Sequence, residues 1–264
     1  MGDRNAPGAI QVNTIPDYEA MVIGAHPDDA DISSAGTSAL WAKQGKKIVW
    51  VCMTDGAEGS EVPHLADTDL MLIREEEQRL ACNVFGVQTV EFLRFPDGNV
   101  INNQATRKAV VRLIRKYRPR VVFTHDPSTH IYAPDPDENP TGTAYLNHPD
   151  HRATGQIVLD AIFPGAVNPR AYRDLLAEGL HPYQVHELYL FFSDHENTYV
   201  DISETIELKI KGLQCHVSQL GSETNWVDWI YQRSAEKAKE AKEKKGLTMQ
   251  YAEVFRRIKL HVPN

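Results

Sequence analysis

The sequence predicts an α/β chain: a Rossmann-like, mostly parallel sheet with helices on both faces. Three observations predict it. Short apolar runs alternate with stretches of helical periodicity along the first half of the chain. The runs are continuously apolar rather than alternating, as in strands covered on both faces. Each of the first four runs ends in a polar cluster, and in open α/β sheets ligands bind at the carboxyl ends of the strands.

Residues 1–19, rich in Gly, Pro and polar side chains, read as an extended arm. The first strand spans about 20–25 and ends in His26-Pro27-Asp28-Asp29; a helix follows over 37–44, with Gly45 as its C-cap. Residues 47–53 (KIVWVCM) form a second strand, followed by Thr54-Asp55-Gly56. A helix over 70–84 carries Arg74-Glu75-Glu76-Glu77 and stops at Gly86. The third strand, 89–93, runs into Phe95-Pro96-Asp97-Gly98. A basic amphipathic helix over 104–117 leads to a fourth strand, 120–124, and His125-Asp126-Pro127. The Pro/Asp/Gly-rich stretch 127–147 is long for a connection inside a compact domain and reads as an active-site lid. Helix 149–163, strand 187–192 and helices 203–219 and 226–245 complete the chain. The whole of 1–264 is expected to be one domain, with 221–264 a helical C-terminal extension.

A dinucleotide site would need G-x-G-x-x-G at the first turn. Here Gly24-Ala25-His26-Pro27-Asp28-Asp29 puts carboxylates where a pyrophosphate would lie, which argues against one. A formal charge of −8 argues against nucleic acid or an anionic membrane as partner. No apolar run is long enough to span a bilayer, and the N-terminus has no signal-peptide pattern. Cys52, Cys82 and Cys215 are scattered without CxxC spacing, as expected of reduced thiols in a cytoplasmic protein. His216 falls in a helical pattern and reads as a packing residue, and the role of His261 near the C-terminus is left open.

The chemistry lies in two clusters. His26 and a carboxylate three residues on can face one ion from a turn stiffened by Pro27. Asp28 and Asp29 are adjacent, so one can ligate while the other stands beside the open coordination position. His148 and His151 of His148-Pro149-Asp150-His151 share one face if the segment is helical. Two histidines and a carboxylate, with positions left open, suit catalytic Zn²⁺ and also non-haem Fe²⁺.

These motifs, with Thr54-Asp55-Gly56-Ala57-Glu58-Gly59, Arg74-Glu75-Glu76-Glu77, Phe95-Pro96-Asp97-Gly98 and Val121-Val122-Phe123-Thr124-His125-Asp126-Pro127, resemble the PIG-L/LmbE-like family of metal-dependent N-acetylglucosaminyl deacetylases. The resemblance runs over roughly 20–220. It implies an LmbE-like fold and assigns His26, Asp29 and His151 as metal ligands, Asp28 as general base and His148, as imidazolium, as oxyanion stabiliser. Arg74 and Asp97 match positions that hold sugar hydroxyls. The expected activity is zinc-dependent hydrolysis of the acetamide of a small N-acetylated sugar or glycoconjugate, with Fe²⁺ or another divalent ion as the alternative metal. The rivals are an amidase of the same superfamily acting on a larger acyl or thiol-conjugate substrate, a metal-dependent phosphoesterase and a non-catalytic sugar-binding module. Homo-oligomerisation is left open. One departure stands out: where many members have Glu directly after the second Asp or one residue later, this chain has Ala30-Asp31.

Overall fold

The computed structural model describes residues 10–60, 64–132, 144–221 and 225–262. In chain order the elements are β1 (Tyr18–Gly24), α1 (Asp29–Lys43), β2 (Ile48–Thr54), α2 (Asp67–Phe85), β3 (Thr89–Phe95), α3 (Gln104–Tyr117) and β4 (Pro119–His125). A small hairpin of β5 (Ile131–Tyr132) and β6 (Tyr145–Leu146) precedes α4 (Pro149–Asp160), which runs on into a π-type turn, Ala161–Ala166. Then come α5 (Arg173–Ala177), β7 (Glu187–Phe191), β8 (Thr198–Asp201), α6 (Ile206–Leu213), α7 (Val217–Leu220), α8 (Asn225–Lys245) and β9 (Ala252–Lys259).

The main sheet has the order β3-β2-β1-β4-β7-β9-β8. Its first five strands are parallel; β9 runs antiparallel to both β7 and β8. The winding reverses between β1 and β4, so the crevice at their carboxyl ends is the topological switch point. Alternate residues of one strand serve two cores. Met21 and Ile23 of β1 join Val110, Val111 and Ile114 of α3 and Ile157 of α4 on one face. Ala20 and Val22 pack with Ala35, Ala39 and Trp41 of α1 and Ala81 and Phe85 of α2 on the other. Burial on both faces explains why β2, IVWVCMT, is apolar nearly throughout.

Three expectations are corrected. The C-terminal region is helical only to Lys245; β9 then enters the main sheet between β7 and β8. Its strand character is masked in the sequence because Arg256, Arg257 and Lys259 interrupt the apolar pattern. The expected helix 203–219 is two, α6 and α7, broken where His216 turns inward and is completely buried. Residues 18–19, assigned to the arm, belong to β1, and 10–17 are not free either. Asn13 donates to the Pro182 carbonyl (2.8 Å) and accepts from the Gln184 amide (3.0 Å). Residues 1–9 and 133–143, the latter the middle of the expected lid, lie outside the described residues. The ends of that loop are pinned together by β5–β6 and by the Asn147 amide, which donates to the His130 carbonyl at 2.9 Å.

Candidate metal centre and active site

The switch point gathers the two sequence clusters. His26, Asp28 and Asp29 come from the turn between β1 and α1, Asp97 from the end of β3, His125 from the end of β4, and His148 and His151 from the start of α4. Helix α4 reaches the sheet edge because Gly155 lacks a side chain: a Cβ there would lie 2.5 Å from the His125 carbonyl oxygen. That close approach stacks the His151 ring on His125, with centroids 4.2 Å apart.

His26, Asp29 and His151 face one another. His26 Nδ1 lies 3.2 Å from Asp29 Oδ2, and His151 Nε2 lies 3.0 Å from Asp29 Oδ1. Donor atoms lie within 4.8 Å of one another in three overlapping groups: His26, His148 and His151; Asp29, His125 and His151; and His26, Asp97 and Asp150. Donors around a tetrahedral zinc stand about 3.4 Å apart, given bonds of about 2.1 Å.

The tautomers make the stronger case for a cation. His26 Nε2 lies 2.9 Å from Asp97 Oδ1 and 3.5 Å from Asp150 Oδ2. Carboxylates only accept, so Nε2 carries a hydrogen, and Nδ1, which also faces a carboxylate in Asp29, needs either a second hydrogen or a metal ion in its place. On the other side, the Asn147 amide group donates to the Thr129 carbonyl at 2.7 Å, which fixes its oxygen against His151 Nδ1 at 3.0 Å. His151 therefore holds a hydrogen on Nδ1, and its Nε2 faces Asp29. Two imidazole nitrogens facing one carboxylate need a cation, proton or metal ion, between them and it. Carboxylate and amide partners behind metal-binding histidines orient them in this way. Without a metal, a proton takes the place. Burial alone would depress His26, but the charge of Asp29 and hydrogen bonds to Asp150, Asp29 and Asp97 push its pKa up to about 12. Asp29, despite its burial, is held well below the usual carboxylate range by His151 and His26. The donor set therefore fits a divalent metal.

Asp28 differs from its neighbour. It occupies the N-cap position of α1 with φ at 96°, yet its carboxylate makes no capping hydrogen bond. Few residues other than glycine adopt positive φ, and the conformation costs about 1–3 kcal/mol. It carries the side chain away from the helix and to within 3.4 Å of Arg74 Nη2. Burial and the charge of Asp29 raise its pKa to about 6, against the opposing charges of Arg74 and His216.

His148 caps α4: its Nδ1 accepts from the Asp150 backbone N–H at 3.2 Å. An imidazolium has no lone pair to accept with, and burial together with His26 and His151 lowers its pKa. The expected imidazolium gives way to a neutral ring that carries its hydrogen on Nε2.

The residues expected to hold sugar hydroxyls are placed otherwise. Asp97 is buried; besides His26, its Oδ1 accepts from the Gly98 N–H (2.8 Å) and its Oδ2 from the Glu58 N–H (3.1 Å). Arg74, also buried, donates to the carbonyls of Gly56 (2.8 Å) and Pro27 (2.9 Å), behind the His26–Asp29 turn. Sequence reasoning missed Asn147 and Asp150 as supports. The i, i+4 spacing of Asn147 and His151 was the signal for the first. Asp150, which also accepts from the backbone of Gly98 and Val100, gave none, since the partners it serves are fifty residues away. His125 is completely buried 3.3 Å from Asp29 Oδ2, and burial and His151 push its pKa down to about 4.

Three comparisons with known proteins agree with this geometry. The profile of the PIG-L family, GlcNAc-PI de-N-acetylase, matches residues 21–162, which contain every site residue described above except His216. The chain is 30% identical over 212 residues to a diacetylchitobiose deacetylase of Thermococcus kodakarensis, covering 80% of this chain and 73% of that one. It is 26% identical to a 1D-myo-inositol 2-acetamido-2-deoxy-alpha-D-glucopyranoside deacetylase of Salinispora arenicola, over 75% of this chain and 68% of the other. Among solved structures, the N,N'-diacetylchitobiose deacetylase of Pyrococcus horikoshii superposes with a TM-score of 0.79 at 28% identity, covering 92% of this chain and 85% of that one. No helix among the described residues is long and apolar enough to cross a membrane. By the profile match and the relatives, this chain belongs to the PIG-L family of deacetylases.

Proposed function

We propose that this chain is a metal-dependent N-deacetylase that hydrolyses the acetamide of a small N-acetylated sugar or glycoconjugate. The observation that carries the reading is the convergence of His26 Nδ1 and His151 Nε2, each ring held from behind, on Asp29 beside an uncapped Asp28. His26, Asp29 and His151 would hold the ion, and Zn²⁺ is the ion we propose, since two nitrogens and one carboxylate with open positions suit it. When bound, such an ion supplies Lewis-acid chemistry, polarising the acetamide carbonyl and acidifying a water.

The chain's own groups do the rest. Asp28, raised to about 6, accepts the proton of the attacking water as its oxygen bonds to the carbonyl carbon. The exposed Nε2–H of His148 donates to the oxygen on which negative charge develops. Asp28 then passes its proton to the nitrogen as the C–N bond breaks, leaving acetate and a free amino sugar. The β5–β6 hairpin leaves Ile131, Tyr145 and Leu146 exposed, the last two shortly before His148 in the chain. The test is acetate release from a panel of N-acetylated sugars, with metal content measured on the same sample. Metal-loaded protein that releases no acetate from any of them overturns the reading; release of a longer acyl group alone would favour the amidase.

A further inference from the structure

Beneath Asp28 lies a chain of buried polar groups outside the metal seat. His216, Asp31 and Gln78 are all completely buried, contributed by the α6–α7 junction, α1 and α2. His216 Nε2 stands 3.1 Å from Asp31 Oδ1. Gln78 Nε2 stands 3.1 and 3.0 Å from the two oxygens of Asp31, and Gln78 Oε1 accepts from the backbone N–H of Asp28 at 3.0 Å.

The donor and acceptor inventory gives this row a direction. A carboxylate can only accept, so Asp31 forces the amino end of Gln78 to face it. The carbonyl end is thereby turned outward, where it meets the Asp28 N–H. Were the amide flipped, two donors would face each other at Asp28 and two acceptors at Asp31. Asp28 holds its positive φ in this grip, with the Pro27 carbonyl clamped by Arg74 on the other side at 2.9 Å. Buried groups of this kind are costly unless their partners are present, and in this row only His216 Nδ1 finds no hydrogen-bond partner among the described residues.

We propose that Asp31, Gln78 and His216 are positioning residues for the general base: by fixing the orientation of the Gln78 amide they lock the Asp28 backbone in the left-handed conformation that frees its carboxylate for proton transfer. The proposal rests on the deacetylase reading and deepens it. It also gives Asp31, where the chain departs from the acidic pattern of many relatives, a task apart from the metal.

The decisive variant is Asp31→Asn. Its amide can donate to Gln78, releasing the constraint that orients it. The metal-loaded variant is expected to lose about 10- to 100-fold in kcat, as small misplacements of a reacting group do. KM should stay within threefold and metal content near one per chain, while exchange of the Asp28 amide hydrogen accelerates at least tenfold. Asp31→Glu, which keeps an acceptor-only group, should restore most of the kcat. If Asp31→Asn does not fold, Gln78→Met removes the acceptor at Asp28 directly and is expected to give the same kcat, metal and exchange results. Unchanged kcat with lowered thermal stability would make the row merely structural and overturn the proposal, as would a loss of activity that tracks a loss of metal. If the wild-type protein releases no acetate, the deacetylase reading fails, and Asp28 amide exchange still decides whether the row holds that backbone.

Discussion

Asp97 provides the sharpest division between two roles for one residue. The family resemblance implies contact with a sugar hydroxyl, whereas the geometry places it behind His26. In Asp97→Asn one oxygen remains to serve His26 Nε2, now at 2.9 Å, and Gly98 N–H at 2.8 Å. The new amino group must then replace Oδ2 and oppose the Glu58 N–H, 3.1 Å away, donor against donor. The neutral amide also removes the negative charge that holds the hydrogen on Nε2 and makes Nδ1 basic. Losing the partner behind a metal-binding histidine weakens metal affinity or activity by about 10- to 100-fold, equivalent to about 1.4–2.8 kcal/mol. Competition with a chelator of known affinity measures the metal term, and steady-state kinetics at saturating metal measure the substrate term. The expected result is weakened metal binding with KM little changed. A KM raised tenfold or more with intact metal affinity would refute the argument and return Asp97 to the sugar.

Other substitutions separate the remaining roles. Asp28→Asn should lower turnover by about 10²–10⁴-fold, the usual worth of a general base, with metal content intact; loss of metal would make Asp28 a ligand. In the wild type kcat/KM should rise with pH as Asp28 gives up its proton, with the acid limb at or below about pH 6 because a bound cation favours the carboxylate, and this limb should be absent from Asp28→Asn. His151→Ala should strip the metal, and full metal content in that variant would mean the two sequence clusters do not share a site. Gly155→Ala gains about 1 kcal/mol in helix propensity, but its Cβ would meet the His125 carbonyl oxygen at 2.5 Å and Pro127 Cδ at 2.9 Å. Overpacking against backbone costs about 1–3 kcal/mol, so lower thermal stability and reduced kcat are expected, and a variant as stable and active as wild type would contradict the close approach of α4. Metal at a hundred times its dissociation constant should stabilise by about 2.7 kcal/mol, a rise in Tm of about 5–10 °C that chelation reverses.

The parallel half of the fold was legible because burial on both faces leaves continuous apolar runs, and β1, β2 and β4 are such runs. The meeting of the two clusters was legible because His26–Asp29 and His148–His151 are each local in sequence, and the structure brings their histidine donor atoms within 4.8 Å of one another. Legibility ended where partners are distant in sequence. Nothing near Asp150 announces that it serves the backbone of Gly98 and Val100. Nothing near His216 announces Asp31, 185 residues earlier; its helical surroundings suggested packing instead. The β9 strand was hidden for a related reason: Arg257 is drawn to Glu187 on β7 at 2.6 Å, a pairing that only the folded sheet creates.

Adjacent carboxylates on one turn would ordinarily be expected to behave alike, and here the fold drives them apart. Asp29 begins α1, where the helix dipole favours negative charge, and it faces His26, His151 and His125; all of these stabilise its ionised form. Asp28 is turned by its positive φ away from those histidines and is left with burial, the charge of Asp29 and a guanidinium at 3.4 Å. Environments that separate the pKa values of paired acids are a general route to assigning acid and base roles. By that logic the ionised partner holds the cation and the one poised near neutrality moves the proton. The backbone torsion of one residue, more than any difference in side-chain chemistry, makes the distinction. Substitutions that relax that torsion should therefore impair catalysis while leaving the metal seat intact.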